Sequence, residues 1–267
     1  MTDTDNSWPV DLPSCIAIEK QGPTALLTLN RPEKRNALSD ELVLGLQNFF
    51  TNIPEDIKAV VLRGAGDHFC AGLDLSQLRE PTGVSFDRSG IGQGLNNTIQ
   101  FCKVPVITVL HGAVVGGGLE IAAASHIRVA EKSAFFALPE GTRGLFLGSG
   151  GSVRLPRLIG AAAVMDMMLS GRVYDAEEAY TRLRLPQYLT DDGGGLEKGM
   201  EIAGKIASNS KLSNYAITQA LPRISEIDPN TGLFTEMLMA AIAENDDDTK
   251  KRLREFLDLK MNKVKKS

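Results

Sequence analysis

An α/β fold of repeated strand–turn–helix units, followed by a helical appendage, is what this 267-residue sequence predicts. Three observations predict it. Short apolar runs rich in β-branched residues recur in the first part of the chain, among them Ala25-Leu26-Leu27-Thr28-Leu29, Ala59-Val60-Val61-Leu62 and Pro105-Val106-Ile107-Thr108-Val109-Leu110. Glycine turns stand between such runs and helical patterns, at Ala71-Gly72-Leu73 and Gly116-Gly117-Gly118. From Ser152 onward the pattern changes to apolar spacings of three and four, the period of an amphipathic helix. Residues 1–200 therefore read as a core of stacked β-β-α units that carries the site, and 201–267 as a helical region.

The elements follow in order. Residues 1–13 form an arm. Cys15-Ile16-Ala17-Ile18-Glu19 and residues 25–29 are strands joined as a hairpin across Gln21-Gly22-Pro23. After a polar loop at 30–38, Ser39 caps a helix with Asp40 and Glu41 in its first turn, and Leu42, Val43, Leu46, Phe49 and Phe50 mark its buried face. The strand at 59–62 leads to a small-residue turn at 68–75, in which Asp74 is placed to cap a short helix. Two breaker clusters, Pro81-Thr82-Gly83 and Gly90-Ile91-Gly92-Gln93-Gly94, make 79–96 a loop, either a lid or a plain surface excursion. Strands at 105–110, 126–130 and 134–138 and a helix opening at Leu119 complete the repeating part. Helices are expected at 161–169, 175–183, 195–208, 212–225, 232–243 and 250–259.

Composition excludes several classes. A formal net charge of −4 argues against broad binding to a phosphate backbone. The exception is the tail, where Lys250, Lys251, Arg252, Arg254, Lys260, Lys263, Lys265 and Lys266 read either as a solvated helix or as a contact for an anionic ligand. No apolar run reaches the ~18 residues of a membrane span, and no secretory signal is visible at the N-terminus. Cys15, Cys70 and Cys102 are odd in number and widely spaced, which fits a reduced cytoplasmic protein. No ligand spacing for a metal appears. Gly148-Ser149-Gly150-Gly151 lacks the third glycine of a dinucleotide fingerprint, because residue 153 is Val153. His68, His111 and His126 read as structural hydrogen-bonders.

The chemistry concentrates in 111–125. Between Lys103 and Arg128, Glu120 is the one side chain charged by default at neutral pH. A carboxylate in so apolar a helix either serves the helix dipole or has a task. Glu140, after Leu138-Pro139, is a second acid, readable as a solvated turn residue or as a partner for Glu120. Two glycine turns that offer convergent backbone N–H groups, with two carboxyls beyond them, suit a thioester whose carbonyl oxygen gains charge during reaction.

Four ordered blocks carry a resemblance over roughly 14–262: Leu29-Asn30-Arg31-Pro32 with Asn36-Ala37-Leu38, Phe69-Cys70-Ala71-Gly72-Leu73-Asp74-Leu75, Gly116-Gly117-Gly118-Leu119-Glu120 and Leu138-Pro139-Glu140-Gly141. The sequence resembles the crotonase (enoyl-CoA hydratase/isomerase) superfamily. That resemblance implies a spiral of β-β-α turns with a C-terminal helical trimerisation region, and a homotrimer or a homohexamer made of two trimers. It implies an acyl-CoA substrate, with coenzyme A as part of the substrate and no separate cofactor. It places the thioester carbonyl between the N–H groups of Leu73 and Gly117. Arg35, Ala37, Ala71, Gly72, Asp74, Leu75 and Gly116 would line the substrate, and Glu120 and Glu140 would handle water and protons as in hydratases. Two departures stand out. Leu73 replaces the alanine of many hydratases, and Lys250-Lys251-Arg252 replaces their Lys-Glu-Gly. The stretch 135–160 is somewhat like members acting on substituted acryloyl-CoAs, such as methylthioacryloyl- or cinnamoyl-type hydratases. Thioester hydrolysis or dienoyl isomerisation are alternatives within enzymes; a non-catalytic RNA-binding relative, motivated by the basic tail, is the alternative of another class.

Overall fold

The computed structural model describes residues 8–77 and 87–257. A six-stranded sheet has the order β1(Ile16–Gln21), β2(Thr24–Leu29), β3(Ala59–Gly64), β4(Val106–Leu110), β6(Ile127–Glu131), β9(Tyr188–Thr190). The β1–β2 hairpin is antiparallel and the remaining pairs are parallel. A second sheet, of β5(Ala113–Val115), β7(Phe135–Ala137) and β8(Val173–Asp175), stands beside it. Parallel neighbours need crossovers, and helices supply them: α1(Asp40–Thr51) between β2 and β3, α2(Asp87–Gln100) before β4, and α3(Gly117–Ala124) between β5 and β6. This is the mixed α/β architecture with a helical C-terminal region that the sequence implies.

Local chemistry explains the elements. Ser39 accepts from the Leu42 N–H at 3.2 Å and caps α1, whose Leu42, Leu46 and Phe49 are fully buried. Trp8 stacks on Phe49 with ring centroids 4.9 Å apart, which fixes the chain to α1 at Trp8. Asp74 accepts from the Ser76 N–H and opens the short 3₁₀ turn Leu75–Gln77. A large core between the first sheet and helices α1–α3 includes Leu27, Leu62, Phe69, Leu110 and Phe136. A smaller one lies on the other face of the sheet, where Ile202 and Ala203 of α7(Gly195–Ala207) pack on Val61, Ile107 and Val109. Residue 200, the boundary expected from sequence, falls inside α7. Beyond it α8(Lys211–Ile224), α9(Pro229–Asn245) and α10(Asp247–Leu257) follow, and Gln219 of α8 ties back to the Cys102 carbonyl at 3.0 Å.

The expected loop at 79–96 is corrected over its second half. Residues 79–86 lie outside the described residues, but 87–96 belong to helix α2. Three glycines within the five residues 90–94 looked like breakers, yet Leu95 and Ile99 are buried and anchor the helix. Two of the glycines let it approach its neighbours. A Cβ on Gly92 would lie 2.2 Å from Ser149 Oγ, and one on Gly94 would lie 3.2 Å from Gln47. The strands β5, β8 and β9 were not expected. Each has three residues, too few for a two-residue alternation to register. The remaining C-terminal helices are α4(Gly151–Ile159), α5(Ala161–Ser170) and α6(Ala176–Glu178), which runs into a π-turn at Ala179–Leu183. Lys250, Lys251, Arg252 and Arg254 lie on α10; Lys260, Lys263, Lys265 and Lys266 lie outside the described residues.

Candidate active site

The site begins with a short segment, 70–74, kinked at Gly72 (φ 90°) and threaded between two others. On one side Cys70 N–H donates to the Ala113 carbonyl and Val115 N–H donates to the Cys70 carbonyl; on the other, Leu38 N–H donates to Gly72 and Asp74 N–H donates to Leu38. Backbone groups alternate in direction along an extended segment. The Gly72 carbonyl and the Asp74 N–H both face Leu38, so the Leu73 N–H faces away from it. Gly117 is the first residue of α3, where N–H groups have no partner inside the helix. A Cβ on Gly117 would lie 3.9 Å from the Leu73 nitrogen, and one on Gly72 would lie 3.5 Å from the Gly117 nitrogen. The structure therefore brings these two amides together, each half-buried, at the positive end of a helix. Gly116, with φ of 53°, makes the turn that allows it.

Glu120 sits one turn along α3 and is buried. Its Oε1 accepts two backbone N–H bonds, from Ser149 at 2.9 Å and from Gly151 at 2.8 Å. Gly151 opens α4, so the carboxylate rests at the N-terminus of a second helix. A Cβ on Gly151 would lie 2.7 Å from Glu120 Cγ and Oε1, which explains a glycine there. Burial raises the Glu120 pKa; the two amides and the nearby Arg154 charge work against that rise. The glycine-rich 148–151 stretch is thus a helix N-terminus packed against the Glu120 carboxylate.

Glu140 leads into the 3₁₀ turn Gly141–Arg143. A Cβ on Gly116 would lie 2.8 Å from Glu140 Oε1, which sets the second acid against the glycine turn. Its Oε2 is buried with no hydrogen-bond partner. Burial pushes its pKa up, and the Glu120 charge pushes it further. Glu140 therefore senses the charge of Glu120. The chain from Glu140 to Ser149 runs from one acid to the amide that anchors the other.

The other expected site residues form the loop beneath. Arg35 is exposed and left-handed at φ 50°, and its carbonyl accepts from Ala71 at 3.0 Å. Ala37 and Ala71 are half-buried, Gly72 is buried and Leu75 is exposed. Asp74 is engaged within the protein: Ser76 and Arg31 hold its carboxylate and depress its pKa. Three residues of consequence had been given no role of their own. Asn36 and Asn96 are buried, and Arg154 bridges α4 to α2; nothing in a polar loop or a glycine-rich helix signals that a given Asn or Arg lies inside. The histidines are structural. His126 accepts from Val106 N–H, bonds the Gln100 carbonyl and is pushed by burial down to about 4. His68 accepts from Ala113 N–H, and His111 bonds the Gly66 carbonyl. Among the described residues no three His, Cys, Asp or Glu side chains cluster as a metal site requires, and no helix is long and apolar enough to cross a membrane.

The fold and its site define an enzyme of the crotonase class. The profile of the Enoyl-CoA hydratase/isomerase family matches residues 19–265, and the chain belongs to that family. Among its relatives, the short-chain-enoyl-CoA hydratase of Clostridium acetobutylicum is 31% identical over 91% of this chain and 94% of its own length. The (E)-benzylidenesuccinyl-CoA hydratase of Thauera aromatica is 32% identical over 90% and 95%. A crystal structure from Rhodopseudomonas palustris CGA009, described provisionally as an enoyl-CoA hydratase, is 51% identical, with a TM-score of 0.90 over 94% of this chain and 98% of that one. The chain is accordingly an enzyme of the enoyl-CoA hydratase type.

Proposed function

We infer that the site adds water across the α,β double bond of a 2-enoyl-CoA thioester. The observation that carries this reading is the pair of carboxyls, Glu120 buried and Glu140 half-buried. Glu120 is tied by Oε1 to two amides, and Glu140 presents a buried Oε2 without a partner. In this mechanism the amides of Leu73 and Gly117 bind the thioester oxygen and stabilise the charge it acquires as the enolate forms. Glu120 Oε2 and Glu140 hold one water. Glu120 takes its proton as the oxygen attacks the β-carbon, and Glu140 delivers a proton to the α-carbon. Because the two carboxyls are coupled, the acid and base roles belong to the pair. Arg35, Ala37, Ala71, Gly72, Leu75 and Gly116 line the path of the substrate, with Asp74 holding that wall in shape. Coenzyme A enters as part of the substrate.

The acyl group is a β-substituted acryloyl unit in this reading, with methylthioacryloyl-CoA as one example. Support comes from the half-buried Leu73 side chain, the exposed Leu145 and Phe146 after Glu140, and a relative named for an aryl-bearing substrate. With a sulfur on the β-carbon, hydration gives a carbon that expels its thiol, and the same two acids serve thioester hydrolysis. The test is a screen of crotonyl-, cinnamoyl- and methylthioacryloyl-CoA that follows both loss of the conjugated double bond and release of free coenzyme A. Double-bond loss with the thioester intact is the expected result for crotonyl-CoA. Coenzyme A release that outpaces double-bond loss would make the enzyme a hydrolase instead.

The assembly is a homotrimer or a pair of trimers, in a cytoplasmic protein. What supports this is the apolar surface of the C-terminal helices: Leu233, Phe234 and Met237 of α9 are 64%, 57% and 58% exposed, beside Leu221 of α8 at 60%. Light scattering of the parent is expected to give a trimer or hexamer mass. Leu233→Glu together with Met237→Glu is expected to shift it to the monomer, whereas an unchanged mass would place the interface elsewhere.

A further inference from the structure

Whatever holds Ser149 and Gly151 holds Glu120, because their two N–H groups are what grip its Oε1. Between those amides along the chain lies the Ser149 carbonyl. It accepts two side-chain donors, Asn96 Nδ2 at 2.8 Å and Arg154 Nη1 at 3.2 Å. Arg154 also donates to the last turn of α2, with Nε to Gln100 Oε1 at 2.7 Å and Nη2 to Asn97 Oδ1 at 2.6 Å. One guanidinium thus bridges α4 to α2 and touches the segment that orients the acid. Two glycines make room for this. A Cβ on Gly150 would lie 2.1 Å from Arg154 Nη1, and one on Gly92 would lie 2.2 Å from Ser149 Oγ.

Asn96 is the telling member. It is 1% exposed, and its Oδ1 is buried with no partner. An orphaned buried acceptor destabilises a fold, and an apolar side chain of the same shape would not. The orphaned Oδ1 is a cost to the fold, and what Asn supplies in return at 96 is its bond to the Ser149 carbonyl. We propose that Asn96 and Arg154 are positioning residues for Glu120: from α2 and α4 they clamp the Ser149 carbonyl and so aim the Glu120 carboxylate at the reacting water. This rests on Glu120 acting in the hydration proposed above.

The clamp has an electrostatic consequence. The amides of Ser149 and Gly151 favour the Glu120 carboxylate, as does the Arg154 charge. The other ionisable groups about this centre are Glu140, with Arg143 behind it, and Arg157 behind Arg154. Loosening Ser149 weakens the amide bonds to the carboxylate, so the Glu120 pKa rises further. Hydration needs Glu120 ionised, so the acid limb of the kcat profile moves to higher pH.

The experiment is steady-state hydration of crotonyl-CoA across pH, with melting curves, for Asn96→Leu, Arg154→Lys and Glu120→Gln. Asn96→Leu is expected to melt at or near the parental temperature. Its kcat should fall about tenfold to a hundredfold, the cost of misplacing a reacting group by an ångström or less, with the acid limb displaced upward and KM little changed. Arg154→Lys keeps the charge but not the fork; it should lower kcat in the same way with a smaller displacement of the limb. Should Asn96→Leu fail to fold, Arg154→Lys carries the same readouts. A folded variant at parental kcat, or one whose kcat falls while the limb stays put, overturns the clamp. Parental kcat in Glu120→Gln would overturn the hydration mechanism instead, which separates the two failures.

Discussion

Glu140→Gln is expected to lower kcat for enoyl-CoA hydration by about 10²- to 10⁴-fold, the usual contribution of a positioned general acid or base, and to raise the melting temperature at the same time. The two effects share a cause. Glu140 Oε2 is buried without a partner, and burial followed by the Glu120 charge lifts its pKa above the ordinary carboxylate value. A folded-state pKa above the unfolded one means that the fold prefers the protonated acid. The contribution to stability is present below the unfolded pKa and is lost as pH rises through the folded pKa. Above the folded-state pKa the ionised Glu140 is therefore a liability that an uncharged amide of the same shape removes. A gain of about 2 °C is expected at pH 8, in keeping with a fraction of a kcal/mol to 1 kcal/mol for a chain of this size, and none near pH 4. Glu120→Gln should match the loss of rate with a smaller thermal gain, because two amides already favour its carboxylate. Melting curves at both pH values and hydration kinetics check this. Activity within about tenfold of the parent in either variant would mean that protons move through another group.

That combination, an acid kept at the expense of stability, was half legible in the chain. Glu120 stood alone as a charge in an apolar segment next to three glycines, and the burial found for it follows from that composition. Glu140 is less obvious, since a Pro-Glu-Gly turn reads equally as a solvated corner. Its standing changes when β5 and β7 pair in register, Val115 with Ala137, and the turn after β7 is carried back to Gly116. Long buried strands such as β4 announce themselves by apolar runs. β7, of three residues, lies inside the apolar run 134–138 and was legible; β5, β8 and β9, equally short, have no such run and were missed. The glycines of α2 were misjudged for a related reason: sequence registers their cost to a helix but not the neighbour they make room for. In each case the missing information was long-range, supplied only once distant segments pack.

Asn36→Ala is expected to be the most damaging single substitution outside the two acids, and it tests how the Leu73 amide is held. The loop 30–38 read as polar and open, yet Asn36 is fully buried, with φ of 54°. Its Nδ2 donates to the Ala65 and His68 carbonyls at 2.9 and 2.7 Å, and its Oδ1 accepts from Arg31 N–H at 2.9 Å. One side chain therefore joins the turn after β3 to the loop after β2. Alanine leaves three part-buried backbone groups without their protein partner, at about 1 kcal/mol each. It also sits in a left-handed conformation that Asn tolerates and Ala does not, at roughly 1 kcal/mol more. The sum, about 4 kcal/mol, corresponds to a fall of roughly 10 °C in melting temperature. Asn36→Gly should recover only the conformational part, because glycine accepts the dihedral but makes none of the bonds. The damage should reach the site below the melting temperature as well. Two residues on, Leu38 pairs with Gly72 and Asp74, and Arg35 accepts from Ala71, so this loop is the backing that turns the Leu73 N–H toward Gly117. A slackened loop lowers kcat/KM for the enoyl thioester while leaving Glu120 on its two amides and the acid limb of the pH profile where it was. Loss of rate without a shift in that limb distinguishes the Asn36 defect from the Asn96 defect. A melting temperature within about 2 °C of the parent, under 1 kcal/mol of destabilisation, would instead mean that water replaces all three bonds and that the loop is held by Arg31 and Asp74 alone.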